Sequence, residues 1–371
     1  MKRIIFICLR YLDDKKEKVT IGGIQTYVTN LISIAKELGL ECVIIQPSKE
    51  RFDIVKNDIR ILGVITSERK GFKRFKYDLF NASKTVYQQG DIIVFAHEGL
   101  SVNTEIKNTI GIQHGISWDI TEQEAANAFN RFLFTMKRHI KSFSYIKDSK
   151  RVKTLVCVDY NYINWIRTQI QHSITNYVVI PNFSKVPEDY IPKNDDGNVH
   201  IIFARRLQWY RGTRIFGEAI LKILNNYNNV DVTIAGDGPD ETYLRNLLKG
   251  KKVQFITYKS DESLDIHRTK DIAVVPSLGS EGTSLSLIEA MACSCATIAT
   301  DVGGMTNIII DGYNGLLVKP TVDSLYSAIE KLINNKELRK YISIKAHETV
   351  VEGFSYDIWK SKWINVIKEY M

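Results

Sequence analysis

Two series of short apolar runs, separated by a proline-rich polar stretch, constrain the fold of this chain more than any other feature. The first series is IIFICL, CVIIQ, DIIVF, TIGIQH, TLVCV and YVVIPN; the second is VHIIFA, VDVTIAG, KVQFITY, DIAVVP, CATIAT and NGLLV. Segments of helical period lie between the runs, and this alternation is typical of parallel sheets covered by helices. The sequence therefore predicts two Rossmann-like α/β domains with doubly wound parallel sheets, facing a central cleft.

The stretch 181–198 marks the boundary between the domains, because it holds three of the seven prolines and a polar cluster. We expect an N-terminal domain over residues 1–183 and a C-terminal domain over residues 184–353. Residues 354–371 have apolar side chains near helical spacing, so they predict a closing helix that needs a surface to cover. That surface lies on the second domain or, as we expect, back on the first.

Composition narrows the class of protein. The 371 residues are 44% hydrophobic and 25% charged, which is typical of a globular chain and excludes a disordered tail or a fibre. A formal net charge of +8 suits a phosphate-bearing ligand, an acidic substrate or an anionic membrane surface. Five cysteines without metal-ligand spacing predict a cytoplasmic protein. No window approaches the roughly 18–20 apolar residues of a membrane-spanning helix, so we expect any membrane contact to be peripheral.

The stretch PSLGSEGTSLSLIEAMACSCATIATDVGG, residues 276–304, carries the most chemistry. Thr283 and Ser284 offer N-caps to a helix, and the free N–H groups of such a helix start bind anions such as phosphate. Glu281 and Glu289 can face one crevice, where carboxylates accept hydrogen bonds from the paired hydroxyls of a ribose or a sugar. Two glutamates at this spacing, taken alone, are more often surface charges.

A second stretch, FARRLQWYRGTRIF at 203–216, follows the first strand of the second domain. Arg206 and Arg211 bracket a loop at the carboxyl end of that strand, where open α/β sheets bind ligands. Guanidinium groups match phosphate oxygens through paired hydrogen bonds. The alternative is that the arginines of this stretch form only a solvated basic face.

Together the two stretches resemble the retaining glycosyltransferases of family four, nucleotide-sugar-dependent enzymes with the GT-B fold. The family's Gly-Arg-Leu, three residues, Lys-Gly corresponds to residues 205–212, with Arg205 in place of the glycine and Arg211 in place of the lysine. The family's two glutamates with seven residues between them, Ala-Met-Ala and Thr-Asp-Val-Gly-Gly correspond to residues 281–304. The resemblance covers the whole second domain, whereas GGIQTYV at 22–28 and QHG at 113–115 are all that support it in the first.

The resemblance implies a role for each matching residue of the second domain. Arg206 and Arg211 would clamp the donor diphosphate and offset charge on the leaving group. The helix start would add backbone N–H groups; this part of the site comprises Gly282, Thr283, Ser284 and Leu285. Glu281 would hold a donor-sugar hydroxyl, Glu289 would hold the ribose hydroxyls, and the base would rest near Tyr258.

In the first domain the resemblance implies two further contacts. Gly22 and Gly23, at the turn into the first helix, would let the backbone approach the diphosphate or sugar. His114, at a strand end, would sit beside the donor sugar. A lone histidine at such a position is otherwise a satisfied loop residue.

The family's chemistry implies transfer with retention through an oxocarbenium-like state, in which a donor phosphate oxygen accepts the acceptor's proton. We expect no cofactor and no metal: the Asp-x-Asp ligand pattern of the other common transferase fold is missing, since Asp13 and Asp14 are adjacent and so are Asp195 and Asp196. In GDGPDE at 236–241 a glutamate replaces the third glycine of a dinucleotide fingerprint, so we expect a turn before a helix that begins at Pro239.

Two basic runs in the first domain, ERKGFKRFK at 68–76 and MKRHIKSFSYIKDSKRVK at 136–153, interleave aromatic residues. Such runs suit an anionic membrane surface, although they also suit the solvated faces of ordinary helices. No recognised nucleic-acid motif accompanies them, so we expect no nucleic-acid partner.

The sequence therefore predicts a hexosyltransferase that uses a UDP- or GDP-sugar and a glycan or lipid-linked acceptor. We expect it to act in cell-surface polysaccharide (lipopolysaccharide, O-antigen or capsule) biosynthesis, at the inner face of the cytoplasmic membrane. The alternatives are a sugar-nucleotide epimerase, an inverting transferase on the same fold, and a nucleotide-sugar-binding subunit without turnover.

Overall fold

The computed structural model describes residues 2–371 except residue 21 and residues 68–70, 117, 120–127, 171–172, 188, 194–195 and 280. Its contacts divide the chain into two units, and each is described by itself. The first unit comprises Met1–His114, Ala125–Ile180 and Lys360–Met371; the second comprises Gly115–Glu124 and Pro181–Trp359. Pro181, the first residue of the proline-rich stretch, thus begins the main segment of the second unit.

The first unit contains an eight-stranded sheet with the strand order β3-β4-β2-β1-β5-β6-β7-β8. Its strands are β1 (Arg3–Ile7), β2 (Glu41–Pro47), β3 (Phe52–Lys56), β4 (Ile59–Val64), β5 (Ile92–Phe95), β6 (Thr109–Gln113), β7 (Thr154–Cys157) and β8 (Asn176–Val179). Its helices are α1 (Gly23–Glu37), α2 (Phe72–Lys84), α3 (Ala128–Ser149) and α4 (Tyr160–Gln169). The central strands are buried on both faces, as in β1, where Ile4 to Ile7 are fully buried, and this burial explains their continuous apolar sequences.

Six of the seven strand pairs in this sheet are parallel, and β3 pairs antiparallel with β4. The two residues between β3 and β4, Asn57 and Asp58, have φ values of 51° and 56°. Positive φ at both central residues is what a tight hairpin turn of the right twist requires, and Asn and Asp tolerate it better than other side-chain-bearing residues. This hairpin adds an edge that the apolar runs of the sequence did not predict.

The second unit contains a six-stranded sheet, entirely parallel, with the order β11-β10-β9-β12-β13-β14. Its strands are β9 (Val199–Ala204), β10 (Val230–Ala235), β11 (Val253–Ile256), β12 (Ile272–Val275), β13 (Ala296–Thr300) and β14 (Leu316–Val318). Its helices are α5 (Thr213–Asn226), α6 (Glu241–Leu247), α7 (Ser263–Arg268), α8 (Leu285–Ala292), α9 (Val322–Asn334) and α10 (Lys336–Gly353). A last helix, α11 (Tyr356–Lys368), contributes its residues from Lys360 onward to the first unit.

The two parallel-sheet domains predicted from the sequence are confirmed. All twelve apolar runs form strands at the expected places. One predicted helix start is wrong by two residues: α6 begins at Glu241 rather than Pro239, because backbone hydrogen bonds of Leu207 with Asp237 and Asp240 hold the preceding residues in a turn. The N-cap residue of α8 is Ser284, one of the two residues that the sequence offered.

The five cysteines, at positions 8, 42, 157, 293 and 295, are all buried free thiols. Burial raises the pKa of Cys8 and Cys42 to about 12. A thiol is nucleophilic only as the thiolate, so these groups pack as small apolar side chains. Among the described residues, no helix is both long enough and apolar enough to cross a bilayer.

Candidate functional site

Two loops of the second unit meet at the carboxyl ends of neighbouring strands. One follows β9 and ends at Gly212, and the other follows β12 and begins at Pro276; the amide of Leu278 donates to the carbonyl of Tyr210 at 2.9 Å. Gly212 has a φ of 78°, and a Cβ atom there would overlap the carbonyl oxygen of Pro276. Only glycine satisfies both conditions, so this residue sets how closely the loops approach.

Between these loops, two arginines converge on one buried carboxylate. The Arg205 side chain donates to Oε1 of Glu281 at 2.6 Å and to the hydroxyl of Ser277 at 2.7 Å. Arg211 donates to the same Oε1, and the Ser277 hydroxyl reaches it at 2.5 Å. Arg205 and Glu281 are both less than a tenth exposed. The site is therefore a preorganised cationic pair around a single carboxylate oxygen.

The charges in this cluster fix its protonation state. Burial opposes ionisation of Glu281, but the neighbouring charges of Arg211 and Arg205 outweigh it and lower the pKa of Glu281 to about 2. The Glu281 charge in turn raises the pKa of Arg211. The cluster carries two positive charges against one negative charge near neutral pH, so it retains a net positive charge for an anionic ligand.

Arg206 lies next to the cluster but outside it. Consecutive residues of an extended segment point to opposite sides, and residues 205–207 continue that alternation beyond β9: Arg205 is buried, Arg206 is exposed and Leu207 is buried. Among the described residues, no hydrogen bond or ion pair reaches the Arg206 side chain. The sequence singled out Arg206 and Arg211 as the pair, whereas the structure brings Arg205 and Arg211 together on Glu281.

The start of α8 is held by side chains rather than capped by them. The hydroxyl of Thr283 accepts a hydrogen bond from the Asn182 amide at 2.8 Å, and the Asn182 side chain donates to the Thr283 carbonyl at 2.5 Å. Ser284 is the N-cap residue, but its hydroxyl makes no capping bond. The predicted side-chain capping by these residues is therefore wrong, because the Thr283 hydroxyl is engaged elsewhere. The first N–H groups of α8 consequently have no side-chain cap.

Two glycines, Gly303 and Gly304, pack closely against the backbone of the loop before α8. The amide of Gly304 donates to the carbonyl of Glu281 at 3.0 Å. A Cβ atom at Gly303 would overlap that same carbonyl oxygen, and one at Gly304 would overlap the backbone of Gly282 and Thr283. The DVGG sequence thus permits the close backbone packing that fixes residues 281–283.

Glu289 lies in α8, eight residues after Glu281 in the sequence. The hydroxyl of Ser263, at the start of α7, donates to its Oε2 at 2.6 Å. Burial raises the pKa of Glu289 to about 7, and the Ser263 bond opposes that rise only in part. Tyr258 is half-buried; its pKa is raised by burial and by the nearby Glu289 charge, which places the two side chains in one neighbourhood.

His114 is the candidate residue that directly follows β6 in the first unit. Its Nε2 lies 2.9 Å from the carbonyl oxygen of Ala96, so Nε2 carries the proton and Nδ1 is the lone-pair nitrogen. Burial and the neighbouring His97 lower the pKa of His114 to about 3, so the ring is neutral at pH 7. The ring of Tyr27 meets it edge-on at 5.3 Å, and the indole of Trp363 donates to the Tyr27 hydroxyl at 2.8 Å.

Gly22 and Gly23 form the start of α1. Gly22 is the N-cap residue and provides no side-chain cap, while its carbonyl accepts from Thr26 at 3.0 Å. The backbone N–H groups at the start of this 15-residue helix thus receive no hydrogen bond from a capping side chain.

Four residues of the site were not predicted from the sequence, and they share a property: each has a hydrogen-bond partner distant in the chain. They are Asn182, Arg205, Ser263 and Ser277. Arg205 alone gave a signal, since it is an arginine at a strand end. Among the described residues, no group of three His, Cys, Asp or Glu side chains is arranged to hold a metal ion.

Part of the chain is similar to known glycosyltransferases in sequence. Residues 188–349 match the family model described as "Glycosyl transferases group 1". The chain is 27% identical over 343 residues to an uncharacterized glycosyltransferase of Methanocaldococcus jannaschii, and the match covers 88% of this chain and 89% of that protein.

Solved structures extend the likeness to the whole chain. Sucrose-phosphate synthase from Thermosynechococcus elongatus has a TM-score of 0.75 at 15% identity, covering 100% of this chain and 99% of that one. A mutant of S. aureus TarM, in complex with fondaparinux, alpha-GlcNAc-glycerol and UDP, has a TM-score of 0.73 at 15% identity, covering 99% of both chains. These likenesses confirm the expected GT-B fold.

Proposed function

We propose that this chain is a glycosyltransferase of group 1, the family whose model matches residues 188–349, and that it transfers a hexosyl group from a nucleoside diphosphate sugar with retention of configuration. The acceptor is a glycan or lipid-linked glycan of cell-surface polysaccharide biosynthesis, such as lipopolysaccharide, O-antigen or capsule, at the inner face of the cytoplasmic membrane. One observation carries the proposal: the guanidinium groups of Arg205 and Arg211 converge on Glu281 beside the uncapped start of α8.

The donor diphosphate binds beside this cluster, next to the exposed Arg206 of the same loop. As the bond between the anomeric carbon and the phosphate oxygen breaks, negative charge grows on the leaving nucleoside diphosphate. Arg211 and the exposed Arg206 stabilise that charge, aided by the N–H groups at Leu285 and its neighbours. Arg205 stays with Glu281 and keeps the carboxylate, and through it Arg211, in place. Guanidinium groups take the role that a divalent cation has in other transferases, so the reaction is metal-independent.

Carboxylates hold the sugars on either side of the diphosphate. Among the described residues, every hydrogen bond to the Glu281 side chain reaches Oε1, which leaves Oε2 for a donor-sugar hydroxyl. Glu289 accepts from the ribose hydroxyls beside its Ser263 bond, and the base packs near Tyr258. A carboxylate that is already oriented binds a hydroxyl without losing further side-chain freedom.

His114 positions the donor sugar and does not carry a proton. A neutral imidazole whose Nε2 hydrogen is bonded to Ala96 has only its Nδ1 lone pair to offer, so it accepts from a sugar hydroxyl. The acceptor oxygen bonds to the anomeric carbon, its proton passes to the departing phosphate oxygen, and the nucleoside diphosphate leaves. Gly22 and Gly23 let the start of α1 approach the donor.

Donor binding tests this proposal first. UDP-, GDP-, ADP- and dTDP-sugars are screened for thermal stabilisation, because a ligand of the folded state raises the melting temperature by mass action. The UDP in the TarM complex supports UDP-sugars as the first choice. NMR of the anomeric proton of the product then determines whether the configuration is retained or inverted. The same reaction with and without EDTA determines whether it requires a metal ion. Tight binding without turnover or hydrolysis favours a binding subunit, and an inverted product contradicts retention.

A further inference from the structure

Helix α3 exposes an apolar stripe to solvent. Six of its large apolar side chains are between 37% and 66% exposed. They are Phe129, Phe132, Leu133, Met136, Ile140 and Phe143. Ordinary globular surfaces scatter such side chains singly, so six on one helix is a feature that needs an explanation.

The six positions lie on one face. At 3.6 residues per turn, they fall within a stripe about 100° wide, the width of the apolar face with which a helix normally contacts a core. Here three partly buried side chains, those of Phe134, Arg138 and Tyr145, lie on the opposite face. The helix therefore turns its apolar stripe outward.

Positive charge borders the stripe. The helix contains five Lys and Arg residues and a single acidic residue, Asp148, near its end. Lys137 and Lys141 lie beside one edge of the stripe, and both are exposed. An apolar stripe bordered by basic side chains matches the interface of an anionic bilayer, in which acyl chains receive the apolar groups and phosphates receive the cations.

The end of α3 is fixed to the part of the first unit that holds the candidate residues. Lys76, which is buried, bridges Asp148 of α3 at 3.1 Å and the carbonyl of Gly99 at 3.2 Å. Arg151, just beyond the helix, donates to the carbonyl of Ser101 at 3.1 Å. The turn at residues 98–101 follows β5, as does Ala96, whose carbonyl binds His114. A surface that binds α3 is therefore held close to the carboxyl edge of the first sheet.

We propose that α3 is a membrane-docking helix: it lies in the interface of an anionic bilayer with the stripe Phe129–Phe143 inserted among the acyl chains and its lysines on the headgroup phosphates. This inference rests on the proposed function in one respect, which is that the acceptor is lipid-linked. Docking through α3 brings that acceptor to the carboxyl edge of the first sheet. Binding itself needs neither donor nor acceptor.

Vesicle flotation of the full chain tests the proposal. We expect binding to vesicles of phosphatidylcholine with phosphatidylglycerol and little binding to phosphatidylcholine alone. The double variant Phe132→Ser, Ile140→Ser is expected to lower the partition coefficient about tenfold or more. The matched control is Val55→Ser, Ile174→Ser, which removes two other exposed apolar side chains of the same unit, 73% and 88% exposed, and keeps binding.

Charge variants separate insertion from simple attraction. Lys137→Glu with Lys141→Glu is expected to weaken binding to anionic vesicles and to reduce its salt dependence, whereas Lys18→Glu with Lys107→Glu, at exposed lysines elsewhere, has a small effect. Equal binding by the stripe variant and the wild type overturns the proposal. So does a wild-type dimer that the stripe variant converts to a monomer without any vesicle binding, since the stripe then covers a second copy.

Failure of this inference is distinguishable from failure of the proposed function. Thermal stabilisation by a nucleotide sugar needs no membrane, so the stripe variant keeps it if the donor site is as proposed. A chain that binds vesicles through α3 but is stabilised by no nucleotide sugar retains this inference and loses the donor assignment.

Discussion

The indole Nε1 of Trp363 donates a 2.8 Å hydrogen bond to the hydroxyl of Tyr27, and both side chains are buried. Trp363 belongs to α11, close to the end of the chain, and Tyr27 belongs to α1. Because the Tyr27 ring meets His114 edge-on, the last helix helps to hold the surroundings of a candidate residue more than two hundred positions away in sequence.

Tyr27→Phe removes the hydroxyl that accepts this hydrogen bond and keeps the aromatic ring. We expect the free energy of unfolding to fall by about 1–3 kcal/mol, the cost of depriving a buried polar group of its partner. Urea denaturation measures it. Tyr341→Phe, at a side chain that is 44% exposed, is the control and should change stability little. Equal stability of both variants would show that the bond contributes nothing.

Gly212→Ala should disrupt the donor site, because its Cβ atom would overlap the carbonyl of Pro276. Gly250→Ala is a matched control: both glycines have a φ of 78°, but no atom lies within 4 Å of a Cβ at residue 250. Backbone strain alone costs about 1–2 kcal/mol at either position. We expect thermal stabilisation by the donor to be lost only in Gly212→Ala, and similar losses in both variants would contradict the close approach of the loops.

Arg205 and Arg206 should differ in what they affect. Arg205→Ala leaves Glu281 with one guanidinium fewer in a buried site, so we expect a loss of about 3–5 kcal/mol of stability. Arg206→Ala removes an exposed side chain and should change stability by less than about 0.5 kcal/mol. In kcat/KM, Arg206→Ala should lose about 2–4 kcal/mol of transition-state stabilisation. Denaturation and steady-state kinetics on the two variants separate the roles.

A near-normal kcat/KM for Arg206→Ala, with the protein folded, would reassign the diphosphate contact to Arg211 and α8. Arg206→Lys is informative beside it. A lysine keeps the charge but not the paired hydrogen bonds, so intermediate activity is expected if the contact is bidentate.

Glu289 should make stability depend on pH. Its pKa is raised to about 7 in the folded protein, above the unfolded value of about 4.3, so the folded state binds this proton more tightly. Its contribution to stability is present below the unfolded pKa and is lost as pH rises through about 7. Glu289→Gln should flatten this part of the pH profile of the unfolding free energy. Nucleotide-sugar affinity should move the opposite way in the wild type, rising as the carboxylate ionises.

The parallel sheets were predictable because buried parallel strands need continuous apolar runs, and twelve such runs stand out in the sequence. The β3–β4 hairpin was not, because an edge hairpin buries little: Phe52–Lys56 alternates between partly buried and exposed residues. Only the Asn57–Asp58 pair signalled it. The start of α6 was misplaced by two residues because tertiary contacts, such as those of Leu207 with Asp237 and Asp240, decide where a helix begins.

The site was predictable in its parts but not in its pairing. The motifs predicted Arg211, Glu281 and Glu289 as site residues, but how these residues lie relative to one another depends on the strand order. The motifs did not show that Arg205 is the buried arginine. Successive side chains beyond β9 alternate between two sides, so a shift of one residue exchanges the buried and the exposed arginine. Serine is a common residue, so Ser263 and Ser277 gave no signal in the sequence. Their role follows from the hydrogen bonds that α7 and the loop after β12 make to the two glutamates.

The burial of all five cysteines makes this chain convenient for fluorescence work. Protonated and shielded thiols react slowly with maleimides, so a cysteine placed at Ile140 would be the one readily labelled position without any native cysteine being replaced. An environment-sensitive dye there would brighten on entering hydrocarbon, and the same dye at Ile174 would stay dark.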